Sequence, residues 1–464
     1  MTAQAEGDRT GEHGASHTYD NVTCPFCGLL CDDLQVTRTG STLKVSNGCP
    51  RATAGFQRPL PPAEPLVDGK EVSFEEAVKA AAGLIRGAKL PLYGGMASDV
   101  AGARAVVSIA DRTCGVLDHA LSEGQYRNFR VVQTSGWIMS TLTEVRNRAD
   151  LLLIVGTDVH KLHGRFFDRI VTNPHTMFEG VANKRTVVFI GEGLDTSAAV
   201  GPRIEEVITL PVAKDRIPDV LAAISARVRG FHVPAPEAPA APPAKRSGIL
   251  AALLPSSAKS GRASAPVHEI AGVPFSAIDA VAEKCKKAKY GVMVWAPPAL
   301  SMPQADLTVH LMTEVVRELN LHTRFAGLSL GGNEGAPSAA SACTWQTGFP
   351  LRVSFANGKP EYDSYRYNVS RMLTEGEGDL LLWVASIGTD IGLPQTKLPS
   401  IVLGTPGVRM AQPPSVYIPV GTPGIDHTGQ MVRCDNVVSL PLKNLGRSQL
   451  PSAAAVLAAI EAAL

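Results

Sequence analysis

The strongest constraint on this chain lies near its start, where Cys24, Cys27, Cys31 and Cys49 follow one another with the spacing C-x2-C-x3-C-x17-C. Thiolates two and three residues apart can converge on one metal centre from a single turn, and a fourth closes it from a nearby loop. The neighbours Pro25, Gly48 and Pro50 supply the tight turns that such a knuckle requires. Cysteines that serve only packing scatter over strands and helices, whereas these four of the chain's eight fall within 26 residues. The spacing therefore predicts a metal centre held by these four thiolates. It does not choose the metal. The order suits a 4Fe–4S cluster, structural zinc more often takes two C-x2–4-C pairs, and both stay open. A disulfide framework is excluded, because eight cysteines in 464 residues are far too sparse.

With 45% hydrophobic and 19% charged residues and a net charge of +1, the composition is that of a globular chain long enough for two or three domains. Nothing in the charge suggests a nucleic-acid partner. No apolar run reaches the roughly 18 residues needed to span a bilayer, and no membrane association is expected. Residues 1–20 are polar, with no apolar core of a signal peptide, and are expected to be a short disordered N-terminus. A reducing cytoplasmic setting fits the cysteine usage.

After the cysteine module (residues 21–60), helix-period segments alternate with short apolar runs, the signature of α/β architecture. Phe74–Gly87 and Val100–Arg112 read as helices. Leu90–Gly95 reads as a strand ending in Gly-Gly, with further strands at Asp150–Gly156, Thr186–Gly191 and Val207–Val212, then a helix over Asp215–Val228. The second half repeats the order with Tyr290–Trp295, a helix over Pro303–Asn320, Asp379–Ser386, Ile401–Gly404 and Val416–Val420. This predicts two related doubly wound domains, at 61–230 and 268–464, joined by a Pro/Ala-rich linker or insertion at 231–267. Ligands bind outside the carboxyl ends of such strands, where Gly156-Thr157-Asp158 and Gly388-Thr389-Asp390 fall. Either turn taken alone is as well explained by glycines that merely end strands.

The loop Gly331-Gly332-Asn333-Glu334-Gly335 permits close approach of backbone amides to a ligand, but it is neither a Walker-A loop nor GxGxxG. Cys343 reads as a buried structural cysteine. His160, Lys161, His163 and Arg165 carry no carboxylate–cysteine set that would complete a metal site, so they read as solvated or pocket-lining basic residues.

Together the cysteine module, Glu144–Asp150, Gly335-Ala336-Pro337, Cys343-Thr344-Trp345-Gln346-Thr347-Gly348 and the late Val432–Asp435 run resemble the B subunit of formylmethanofuran dehydrogenase. The resemblance extends from about residue 20 to the C-terminus. It implies a formate dehydrogenase/DMSO reductase-like fold: a 4Fe–4S domain, two related α/β domains around a tungsten or molybdenum bis-pterin, and no final β-domain. That family ligates its metal through a cysteine or selenocysteine in a Ser-x-Cys-His-Gly-type turn. Here Val116–Tyr126 occupies the stretch and the ligand position falls on Gly124, with Cys114 ten residues upstream. The family's Gly-Cys-Asn-Pro is also altered, to Gly156-Thr157-Asp158-Val159. The crevice near Gly124, Gly156, Gly332 and Gly388 is therefore expected to be vestigial. No tungsten or molybdenum pterin and no catalytic residue are expected in this chain.

This eroded pattern resembles the B subunit of the formyltransferase/hydrolase complex of methylotrophic bacteria. That resemblance implies a non-redox scaffold in one-carbon (formaldehyde) oxidation, within a complex that converts formyl-tetrahydromethanopterin to formate by way of methylofuran. The implied partners are an amidohydrolase-like A subunit, the C subunit and a formyltransferase-like D subunit. Two alternatives stand beside it. One is an active tungsten or molybdenum enzyme with Glu123 or solvent replacing the missing ligand. The other is a methylofuran-binding wall in which Arg165 or Lys161 touches the glutamate tail.

Overall fold

The structure is a computed structural model and describes residues 16–178, 184–231 and 268–464. Strands β1 (Ser16–Val22), β2 (Leu34–Thr39) and β3 (Thr42–Val45) form an antiparallel sheet, followed by helix α1 (Pro50–Phe56). The disordered stretch expected through residue 20 is corrected here, because Ser16–Tyr19 pair with Thr39–Val36. Backbone hydrogen bonds carry that pairing, so the polar side chains do not oppose it. The hairpin β4 (Leu66–Val67) and β5 (Lys70–Glu71) leads into α2 (Phe74–Gly87), β6 (Pro91–Ala97), α3 (Val100–Arg112), β7 (Val116–Leu117) and α4 (Ser122–Ser135). Then come α5 (Leu142–Arg148), β8 (Leu151–Val155), α6 (Val159–Leu162), β9 (Arg185–Ile190), β10 (Ile204–Leu210) and α7 (Ile217–Val228).

Beyond residue 268 the order recurs. The hairpin β11 (Glu269–Ile270) and β12 (Val273–Pro274) precedes α8 (Phe275–Lys287), β13 (Gly291–Trp295), α9 (Ala305–Leu319), β14 (Phe325–Ser329) and α10 (Ala336–Thr347). After β15 (Val353–Ser354), β16 (Glu361–Tyr362) and α11 (Val369–Glu375) come β17 (Leu380–Ala385), β18 (Ser400–Gly404) and β19 (Val416–Pro419). The hairpin β20 (Gly429–Val432) and β21 (Ser439–Leu442) and helix α12 (Ala453–Ala462) close the chain. The expected linker at 231–267 lies outside the described residues beyond Phe231. No helix among the described residues is long and apolar enough to cross a membrane.

Local signals account for these elements. Ser73 and Glu76 cap α2 reciprocally, and Ala77, Val78, Ala81, Ala82 and Ile85 bury one face, the spacing of an amphipathic helix. Every residue of β8 and of β17 is buried, as expected of parallel strands covered on both sides. The expected strand end at Gly94-Gly95 is corrected: β6 continues to Ala97, and its pairing with β17 shifts register between Trp383 and Ala385. A Cβ at Gly94 would stand 2.7 Å from the Trp383 ring, and Gly95 takes φ +73°. The two glycines therefore form a bulge that seats an indole and do not end the strand.

The sheets also revise the expected division at 61–230 and 268–464. One sheet has the order β10-β9-β8-β13-β14, all parallel. The other has the order β16-β15-β7-β6-β17-β18-β19-β4-β5, parallel from β7 to β19. Each sheet thus joins the first strands of one repeat to the last strands of the other. The exchange has matching details. The Asp150 carboxylate accepts from the backbone N–H of Lys289 and Tyr290 (2.8 and 3.0 Å), tying β8 to β13. The Asp379 carboxylate accepts from Lys89 and Leu90 (2.6 and 3.0 Å), tying β17 to β6. Helix α4 packs on α9, and α10 packs on α3. The sequence repeats are real units, but pseudo-twofold exchange assembles each sheet from halves of both.

Candidate functional site

The cysteine turn is docked against the second repeat by backbone contact. Gly28 O accepts from Cys434 N–H at 2.9 Å. A Cβ on Gly28 would stand 2.1 Å from Gly331 O, and one on Gly332 would stand 3.0 Å from Gly28 Cα. Only glycine permits that approach. Cys24, Cys27 and Cys31 are buried in the adjoining core, while Cys49 is half-buried and caps α1, its Sγ accepting from Ala52 N–H. Burial pushes the Cys27 thiol up to about 11 and the Cys31 thiol up to about 12. Cys24 is raised as well, chiefly by burial and then by charge on Cys27, Cys31 and Cys49. The four sulfurs therefore share one electrostatic neighbourhood. The donor set suits a soft metal, yet among the described residues no three Cys, His, Asp or Glu side chains stand gathered as coordination requires.

Basic groups surround this module. Arg165 makes a bidentate pair with Asp33 (2.7 and 2.9 Å), and Arg169 bridges Asp32 and Asp33. Those pairs tie the loop after α6 to the cysteine turn. Arg165 was expected among solvated or pocket-lining basic residues and is instead a structural tie. His163, expected the same way, is fully buried, with neither ring nitrogen partnered among the described residues. Burial, with Arg51 nearby, pushes it down to about 3. The next residue, Gly164, abuts Cys49.

Gly156 and Gly388 follow the carboxyl ends of β8 and β17, Gly332 lies in the loop after β14, and Gly124 lies in the first turn of α4; each is tightly packed. A Cβ on Gly124 would press on Pro298, 3.1 Å from Cγ. At Gly156 (φ +57°) it would meet Leu300 and Ile217 at 2.7 and 2.9 Å, and at Gly332 it would meet Pro337 at 2.9 Å. The Gly388 position lies 2.7 Å from the Glu334 carboxylate, which also accepts the Gly388 N–H at 3.0 Å. The main-chain oxygen of Glu334 faces His119 Nε2 at 3.1 Å. His119 Nδ1 accepts from Leu121 N–H, so the ring is a neutral tautomer donating from Nε2, and burial holds it down to about 4. The two equivalent loops thus meet each other across the pseudo-dyad.

A cavity of about 410 Å³ remains between α4, Pro297–Pro298, the 329–337 loop and α10, and no charged residue lines it. Glu123, a candidate replacement ligand, points to Arg352 at 2.8 Å and is largely exposed. Cys114 is exposed and precedes β7, at the end of the sheet away from the crevice. Neither stands in for the ligand at Gly124, and the turn from Val116 to Tyr126 does not fit a metal–dithiolene centre. Cys343 is buried within α10 with Sγ near Thr347 Oγ1 (3.7 Å), as its sequence suggested. Sequence reasoning missed the Asp118–Arg352 pair (3.4 Å), both groups buried, with Arg352 over the Tyr126 ring at 3.9 Å. It also missed Glu334 and Pro298, which pack against Gly388 and Gly124. A lone acid inside a Gly-rich loop was the available signal for Glu334; nothing in the spacing pointed to Pro298.

No family model matches the chain. Among curated proteins, the B subunit of tungsten-containing formylmethanofuran dehydrogenase 2 from Methanococcus maripaludis is 25% identical over 440 residues, covering 90% of this chain and 92% of that protein. The B subunit of the formyltransferase/hydrolase complex Fhc from Methylorubrum extorquens is 26% identical over 360 residues, covering 77% and 85%. Among solved structures, a chain of the Methylorubrum extorquens formyltransferase/hydrolase complex FhcABCD with methylofuran superposes with a TM-score of 0.65 at 23% identity, over 86% of this chain and 98% of that one. The chain is a homologue of both kinds of B subunit, and its mixed α/β fold is that of the Fhc structure.

Proposed function

We propose that this chain is a non-redox component of a cytoplasmic formyltransferase/hydrolase complex, where it acts as scaffold for an amidohydrolase-like A subunit, the C subunit and a formyltransferase-like D subunit. The observation that carries the reading is the tight packing around these glycine positions, beside a cavity that no charged residue lines. Pro298 covers the ligandless Gly124, Leu300 and Ile217 cover Gly156, and Glu334 takes the Gly388 amide. A bis-pterin needs open backbone amides, cationic groups for its phosphates and a protein ligand to the metal. The residues here supply apolar cover and one carboxylate instead. In this reading the complex passes formyl groups by way of methylofuran on its other chains, and this chain contributes no reacting group.

Cys24, Cys27, Cys31 and Cys49 would hold one metal centre, zinc or a 4Fe–4S cluster, whose role is to tie the N-terminal module together. An active dehydrogenase component is the second reading, and retention of all four cysteines together with the extended match to a tungsten-containing relative favours it.

Elemental analysis of the purified complex for W, Mo, Fe and Zn, with a visible spectrum, separates the two. The scaffold reading expects neither tungsten nor molybdenum, and about one zinc or one four-iron cluster per chain above the zinc of the other components. Tungsten or molybdenum near one per chain would overturn it.

A further inference from the structure

We propose that the chain binds a small polyanion, carrying two or more carboxylate or phosphate groups, in an arginine-walled cavity between α5 and the Arg433 turn. The cavity measures about 400 Å³, within the usual range of about 300–1,000 Å³ for small-molecule sites. Arg146, Arg169, Arg433 and His175 line it with Thr143 and Thr176, and no aspartate or glutamate does. Arg169 and Arg433 are already matched by Asp32, Asp33 and Asp435. Arg146 is not: its Nε donates to the His175 carbonyl at 2.9 Å, and among the described residues neither terminal nitrogen has a protein partner. Paired terminal N–H groups of a guanidinium are the natural seat of an oxyanion.

Immediately behind the cavity, Arg185 is fully buried and donates to the carbonyls of Arg146 and Ile170 (2.5 and 3.2 Å), two of the lining residues. No carboxylate lies within ion-pair distance of it among the described residues, and its Nε is unpartnered. Burial, then Arg203, pushes Arg185 down to about 10. Burial and then Arg146 lower Arg203 in turn. These guanidiniums repel one another, offset at Arg185 only in part by Asp150, which marks a locally positive field. An anion at Arg146 would relieve it. A smaller cavity of about 60 Å³ shares Leu142, Arg169, Ile170 and Arg433 and runs toward Cys31, so the site adjoins the cysteine module without depending on a metal there.

Isothermal titration and thermal shift of the full-length chain, at low ionic strength, test this with two probes, triglutamate and inorganic pyrophosphate. Binding of triglutamate alone identifies an oligocarboxylate ligand and binding of pyrophosphate alone a phosphate ligand; either supports the site. Arg146→Gln should weaken the bound probe at least tenfold, as loss of a charge-assisted pair does. Met177→Trp fills the cavity from an exposed rim position (76% exposed), keeps every charge, and should weaken it likewise. Lys70→Gln, exposed on the β4–β5 hairpin at the edge of the other sheet, should bind as wild type. The site is overturned if neither probe binds at millimolar concentration, if folded Arg146→Gln or Met177→Trp protein binds as wild type, or if Lys70→Gln weakens binding equally.

Discussion

At the scale of residues, burial holds single side chains in unusual states. His119 is the clearest, a neutral imidazole wedged between Leu121 N–H and the Glu334 carbonyl. Burial lowers it from its ordinary 6.5 to about 4, so between those values the unfolded chain takes up a proton that the folded chain refuses. The stability it permits is complete above pH 6.5 and falls as pH drops toward 4, by on the order of 3 kcal/mol. Asp118 works in the opposite sense: burial raises it to about 6, so its contribution falls as pH rises from about 4 to 6. Gln can both donate and accept at the His119 position, so urea unfolding of His119→Gln across pH 4–6.5 should lose the acid-side drop while Asp118's opposing slope persists. A variant with the wild-type slope would mean that His119 is solvated. None of these states was legible in the sequence, because burial sets them, and the groups that pack on Asp118 and His119, among them Arg352 and Glu334, lie more than 200 residues away.

At the scale of elements, most of the secondary structure was readable. The helices Phe74–Gly87 and Val100–Arg112 emerged with the boundaries their periodicity predicted. The miss at Gly94-Gly95 has a physical cause, since glycines end strands and form bulges with equal ease, and the Trp383 ring that decided between them comes from another strand. The paired clamps at Asp150 and Asp379 are the elements' most testable feature. Asp150→Ala and Asp379→Ala should each destabilise the chain by about 1.5–3 kcal/mol, the range for hydrogen bonds to a charged group. The double variant should be near the sum, because the clamps belong to different sheets. Urea unfolding of the three variants measures this, and an effect confined to one clamp would break the proposed equivalence of the repeats.

At the scale of the whole molecule, the cysteine module sits as a wedge on the exchanged repeats, held by Gly28, Cys434 and the Arg165–Asp33 pair. If it serves assembly and not electron transfer, Cys24→Ser combined with Cys27→Ser should reduce the yield of the complex severalfold while the complex that does assemble keeps near wild-type specific activity. A large loss of turnover in intact complex would instead give the module a catalytic role. The sequence by itself determined the elements, the duplicated order and the clustering of four cysteines along the chain, because each is a local matter of residue type and spacing. Only the tertiary structure decided that the repeats exchange halves, that Pro298, Leu300 and Glu334 pack against Gly124, Gly156 and Gly388, and that arginines distant in sequence share one cavity. Strand partners, closing side chains and summed charge depend on which surfaces meet, and spacing along a chain carries no record of those meetings.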